Sequence, residues 1–144
     1  MINRVLIVCV GNICRSPTAE YLLRDRLRGK DKQVESAGLA ALVGQSIDPM
    51  AESVLAANGL SAAGHVARQV SQDMISAADM VIAMDRRHVS AIQALAPHAR
   101  GKTFLLGRWQ GDVPIPDPYG RDRAAFEKAY TMIREAVDSW HSRL

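Results

Sequence analysis

The chain is poor in cysteine, in aromatic residues and in long apolar runs. Cys9 and Cys14 are its only cysteines among 144 residues. Two thiols exclude a multi-bridge secreted scaffold and are too few for a four-thiolate zinc site. In a reducing compartment such a pair is by default a pair of inert core residues. Aromatic residues make up only 5% of the chain, which leaves little stacking surface for single-stranded nucleic acid. Charge of one sign is also scarce, since 18 Lys and Arg stand against 15 Asp and Glu. The basic run from Arg24 to Lys32 is interrupted by Asp25 and Asp31, the pattern of a solvated helix end, so no nucleic-acid partner is expected. The apolar run from Val5 to Val10 is too short to cross a bilayer and lacks the flanks of a secretory signal. A cytoplasmic protein with no membrane partner is therefore expected.

What is present is 48% hydrophobic and 23% charged residues, an ordinary globular composition sufficient for one domain over residues 1–144. Arg4 to Cys9 reads as a buried strand that runs into a loop containing Gly11 and Asn12. Ser16 is placed to cap a following helix and Pro17 suits its first turn, with Ala19, Leu22, Leu23 and Leu27 at helical spacing before Gly29. Gln33 to Ala37 reads as a short strand and Gly38 to Ile47 as irregular. Asp48-Pro49 opens a helix that Asn58-Gly59 closes. Ser71 to Ala77 predicts a short helix, Met80 to Met84 a strand, Arg86 to Leu95 a helix and Thr103 to Leu106 a strand. A loop with Pro114, Pro116 and Pro118 precedes a last helix carrying Phe126, Ala129, Tyr130, Ile133, Val137 and Trp140 on one face. Strands alternating with amphipathic helices predict an α/β three-layer sandwich: a central four-stranded parallel sheet, doubly wound, flavodoxin-like or Rossmann-like. Ligands then bind at the strands' C-terminal ends.

The string Cys9-Val10-Gly11-Asn12-Ile13-Cys14-Arg15-Ser16 falls at that location. Five residues between Cys9 and Arg15 can curl so that the backbone N–H groups of Val10 to Ser16 face an anion at a helix N-terminus. Gly11 and Asn12 tolerate the left-handed backbone such a curl requires. Arg15 can offer two parallel N–H donors to a phosphoryl group, and Cys9 then lies beneath the phosphorus. The helix end, the N–H groups and Arg15 all favour a thiolate. A Ser16 hydroxyl bonded to that sulfur would make it a better leaving group.

With these residues in place, the chain resembles the low-molecular-weight protein tyrosine phosphatases. Their signature is Cys-x5-Arg-Ser after the first strand and Asp-Pro-Tyr near the C-terminus, here Asp117-Pro118-Tyr119. The likeness extends through Ser36-Ala37-Gly38, Gly64-His65-Val66-Ala67-Arg68-Gln69 and Met84-Asp85, and includes bacterial members encoded with capsule or exopolysaccharide systems. It implies a phosphotyrosine hydrolase that forms a cysteinyl-phosphate, with Cys9 as nucleophile, Arg15 as phosphoryl clamp and Asp117 as general acid, and with no metal or cofactor. The implied substrate is a phosphotyrosine protein, an autophosphorylated tyrosine kinase, and the implied state is a monomer. Asn12, Ser36 and His65 match residues that hold the loop, alongside Ser16. Ile13, Leu42 and Tyr119 match the substrate cleft; eukaryotic relatives carry an aromatic residue where Leu42 stands. Protein-arginine phosphatases of this fold tend to have threonine where Ile13 stands. Cys14 matches a redox position that can pair with the nucleophile after oxidation.

Two other readings share the loop. An arsenate reductase of this fold relays a disulfide through further cysteines, and none follows Cys14. A non-catalytic phosphotyrosine-binding regulator has no use for an acid such as Asp117. Gly101-Lys102-Thr103 resembles the tail of a nucleotide-binding loop, but Ala96 replaces its first glycine and a strand follows. His88, His98 and His141 lack metal-ligand spacing and read as surface residues.

Overall fold

The computed structural model describes residues 1–144. Four parallel strands, β1 (Arg4–Cys9), β2 (Gln33–Gly38), β3 (Met80–Ala83) and β4 (Thr103–Leu105), lie in the order β2-β1-β3-β4. Five α-helices connect and cover them: α1 (Arg15–Arg26), α2 (Pro49–Ala57), α3 (Gln72–Ala77), α4 (Arg86–Leu95) and α5 (Arg123–His141).

The two-residue period of β1 builds both cores. Val5, Ile7 and Cys9 face one side and pack with Leu22 and Leu23 of α1 and Phe126, Ile133 and Trp140 of α5. Leu6 and Val8 face the other side, against Ile75 of α3 and Ile92 of α4. Each of these large side chains, fully buried, contributes about 1.5–3 kcal/mol. Cys9 thus ends β1 on the α1 and α5 side.

The strand order turns one way from β1 to β2 and the other way to β3, so the crevice of a doubly wound sheet opens after β1. Local chemistry fixes the loops around it. Asp48, Ser71, Asp85 and Asp122 each cap the helix that follows through a side-chain oxygen. At Gly38, a Cβ would stand 2.4 Å from the Val10 carbonyl oxygen, so only glycine lets β2 approach the loop after β1 this closely.

The predicted elements form with ends displaced by a residue or so, as at β2, β3 and β4. One assignment is corrected. Ser16 does not cap α1, because the helix begins at Arg15, with Cys14 at the cap position and no side-chain cap bond. Lys102, in the string that resembles a nucleotide loop, instead donates to the carbonyls of Ile75 and Ala78 at 2.8 and 2.7 Å. No helix is long and apolar enough to cross a membrane.

Candidate active site

The residues between β1 and α1 wrap around the sulfur of Cys9. Every carbonyl from Cys9 to Cys14 is engaged from outside the loop. Leu39, Ala40 and Leu42 donate backbone N–H groups to Cys9, Val10 and Gly11, Asp48 donates to Ile13, and Thr18 to Cys14. The Asn12 carbonyl accepts from His65 Nε2 at 2.6 Å. A carbonyl can only accept, so this contact places the imidazole proton on Nε2. By contrast, the N–H groups of Gly11 through Ser16 find no backbone acceptor within the chain. The peptide dipoles of the loop therefore have their negative ends tied outward and their positive ends free, the arrangement of an anion nest running into a helix N-terminus.

Asn12 holds that arrangement. It is fully buried and has φ +60°, a left-handed conformation that asparagine tolerates. Its Nδ2 donates to Ser16 Oγ at 2.8 Å and to Ser36 Oγ at 2.9 Å, and its Oδ1 accepts from the Arg68 backbone N–H at 3.0 Å. Because Nδ2 is only a donor, the single hydroxyl proton of Ser16 is left for Cys9 Sγ, 2.8 Å away. Ser36, by the same logic, donates to Glu20 Oε1 at 2.5 Å. Glu20 is itself buried and paired with Arg24. The loop is thus anchored through Asn12 and Ser36 to a carboxylate on α1.

Arg15 is only 5% exposed, and its guanidinium donates to the Ile115 carbonyl at 2.9 Å. That bond ties the loop to the proline-rich segment, whose Asp117 Oδ2 lies 3.6 Å from Arg15. Asp117 is about half exposed at 51%, and its Oδ1 accepts from the Tyr119 N–H at 3.1 Å. Cys9, Arg15, Asp117 and the loop residues Val10 to Cys14 line one 190 Å³ cavity, and Ala40, Leu42 and Tyr119 complete its wall. Its opening is largely apolar and its floor carries the sulfur and the guanidinium.

Cys14 lies in the same cavity wall. Burial pushes its thiol well above the ordinary value, and the carboxylates of Asp48 and Asp117 add to the effect, so Cys14 stays protonated at neutral pH.

The structure therefore brings Cys9, Arg15, Asn12, Ser16, Ser36, His65, Asp117, Ile13, Leu42 and Tyr119 into one neighbourhood. Glu20 and Arg68 were not singled out by sequence. Glu20 was legible in part, since Ser16, Glu20 and Arg24 recur every fourth residue along one face of α1. His88 is a correction, because it is buried rather than at the surface. It lies 3.6 Å from Asp85 Oδ2, and burial lowers its pKa below the usual imidazole range. His98 does lie near the surface, where it meets Ser76 Oγ at 2.8 Å.

Residues 4–144 match the family model described as low molecular weight phosphotyrosine protein phosphatase. The chain is 46% identical over 144 residues to the low molecular weight protein-tyrosine-phosphatase Wzb of Salmonella typhimurium, covering all of this chain and 95% of that one. It is 44% identical to the phosphatase Etp of Escherichia coli, covering 99% and 95%. Among solved structures, Vibrio vulnificus Wzb in complex with benzylphosphonate superposes with a TM-score of 0.96 at 41% identity, over 100% of both chains. A matching fold, a loop with its N–H groups turned to a cysteine, and full-length likeness to named enzymes agree: the chain belongs to the low molecular weight phosphotyrosine protein phosphatase family and is a protein-tyrosine-phosphatase.

Proposed function

We propose that residues 1–144 act as one phosphatase unit, a cytoplasmic monomer that hydrolyses phosphotyrosine through a phosphoryl group carried on Cys9. The observation that carries this reading is the polarity of the loop. Six successive carbonyls are tied outward, while six successive N–H groups and the Arg15 donors not given to the Ile115 carbonyl are left for the equatorial oxygens of a phosphoryl group. In the first step Cys9 Sγ attacks phosphorus in line, the S–P bond forms and the P–O bond to the aryl group breaks. Asp117 gives its proton to the departing phenolate. A phenol has a pKa near about 10, so this proton transfer is worth roughly 10²- to 10⁴-fold. In the second step Asp117 takes a proton from water, the resulting oxygen attacks phosphorus, and the S–P bond breaks to release phosphate and the Cys9 thiolate. The Ser16 proton aimed at the sulfur stabilises that departing thiolate.

The apolar rim formed by Ile13, Leu42 and Tyr119 suits a phenyl ring, and the Vibrio relative binds benzylphosphonate, which carries a ring and a phosphonate. The physiological substrate on this reading is an autophosphorylated tyrosine kinase of capsule or exopolysaccharide production. Cys9→Ser is expected to abolish turnover of a phosphotyrosine peptide by at least about 10³-fold, and substantial turnover by that variant would remove the nucleophile assignment. Dephosphorylation of a tyrosine kinase encoded beside this chain is the test of the substrate.

A further inference from the structure

A second cavity of 460 Å³ lies on the far side of Asp117 from the apolar rim. It shares Val10, Arg15 and Asp117 with the catalytic cavity, and Arg87, His88 and Lys128 bring cationic or donor groups to it from α4 and α5. We propose that this groove is a substrate-recognition subsite for an acidic side chain flanking the phosphotyrosine. The proposal deepens the phosphotyrosine reading and rests on it.

Three observations converge. Lys128 is exposed and takes part in none of the molecule's ion pairs, unlike Arg123 on the same helix, which pairs with Glu127. The Arg87 side chain is 90% exposed and pairs with Asp85 Oδ2 at 3.3 Å, a carboxylate it shares with the cap of α4, whose bonds from the N–H groups of Arg87 and His88 end on Oδ1. Asp117 is the remaining carboxylate of the groove, and Arg15 lies against it. Arg15, Arg87 and Lys128 thus stand against the two carboxylates Asp117 and Asp85, an excess of one cation carried by Lys128. Independently, His88 lines the groove while buried, and its Nδ1 has no hydrogen-bond partner. A buried polar nitrogen without a partner is costly unless a ligand or water answers it. The N-terminus of α4 adds a favourable field for an anion in the same place.

Reach is not limiting. One extended residue spans about 3.3–3.6 Å, and the two cavities share a wall, so a residue within three positions of the phosphotyrosine can enter the groove. A carboxylate there meets the unpaired Lys128 and the exposed Arg87 at partly solvated range, the regime in which complementarity sets selectivity and association rate.

The test compares kcat/KM for phosphotyrosine peptides that differ only in Glu or Ala at the flanking positions. For the parent protein the acidic peptide is expected to be preferred about threefold to tenfold, with the preference shrinking as salt is raised. The Glu-to-Ala ratio is expected to fall to near one in the double variant Arg87→Ala, Lys128→Ala, and to drop below one in Lys128→Glu. Using a ratio within each variant removes any general loss of activity. A parent ratio near one, or a ratio that survives in the double variant, overturns the subsite. Failure of the parent to turn over either peptide would instead remove the phosphotyrosine reading, and the subsite with it.

Discussion

Asn12→Ala removes three hydrogen bonds at once, two of them buried, and leaves a non-glycine residue at φ +60°. Each bond of this kind contributes about 0.5–1.5 kcal/mol, and the Arg68 N–H is left without its acceptor at an added cost. Alanine in the left-handed region costs about 1 kcal/mol more than asparagine or glycine. The expected loss is therefore about 2–5 kcal/mol, which for a chain of this size lowers Tm by roughly 6–20 °C. Asn12→Gly separates the contributions, because it relieves the backbone without restoring the bonds. It should recover about 1 kcal/mol of the loss in denaturant unfolding. Turnover tells a second thing. With Asn12 gone, Ser16 and Ser36 lose the donor that orients them, so kcat should fall in both variants even where the protein is fully folded. If both variants unfold and turn over like the parent, the argument that Asn12 fixes the loop is wrong.

Asp117→Asn keeps the shape and removes the proton. It should lower kcat on phosphotyrosine by about 10²- to 10⁴-fold and by much less on an activated aryl phosphate whose leaving group needs no acid; an equal loss on both would contradict the assignment. Cys14→Ser should recover activity after peroxide less completely than the parent, because Cys9 sulfenic acid would have no neighbouring thiol to condense with before irreversible oxidation; equal recovery would rule out a protective disulfide. Cys14 also gives a pH prediction. Its folded pKa lies above the ordinary 9.0, so the unfolded chain releases a proton near that pH while the folded chain keeps it. The stability from the protonated thiol is fully present below about pH 8 and declines as pH rises above the unfolded value. Cys14→Ala should flatten that alkaline decline in denaturant titrations, and an unchanged slope would show that the thiol is not desolvated as the fold requires.

Much of this was legible in the sequence because it rests on local rules. The period of β1, the Asp48 cap of α2, and the Cys9 to Ser16 string all carry their meaning within a few residues. Ser16 was misread for an instructive reason. A serine before an apolar helix is by propensity a cap, but here its hydroxyl is committed to Cys9 and Asn12, and tertiary bonding overrides propensity. Ser36 and His65 have no local mark. They meet Asn12 only because the parallel pairing of β1 with β2 and the loop after α2 bring them there, and the sequence offers them through family likeness alone. Glu20 and Arg68 were missed because charged residues are ordinarily placed at the surface: the burial of Glu20, and the bond from the backbone N–H of the exposed Arg68 to Asn12, follow from partners far away in the chain. His88 was missed likewise, since nothing in Arg86-Arg87-His88 shows which of the three turns inward.

The central claim is that phosphorus passes through Cys9. Rapid quenching of the protein with a phosphotyrosine peptide, followed by mass mapping under conditions that preserve thiophosphate, tests it directly. The account predicts one phosphoryl group on the peptide containing Cys9, formed and lost at rates compatible with turnover and absent from Cys9→Ser. Phosphorylation of any other residue at such rates, or turnover without a detectable adduct in a variant slowed at hydrolysis, would contradict it.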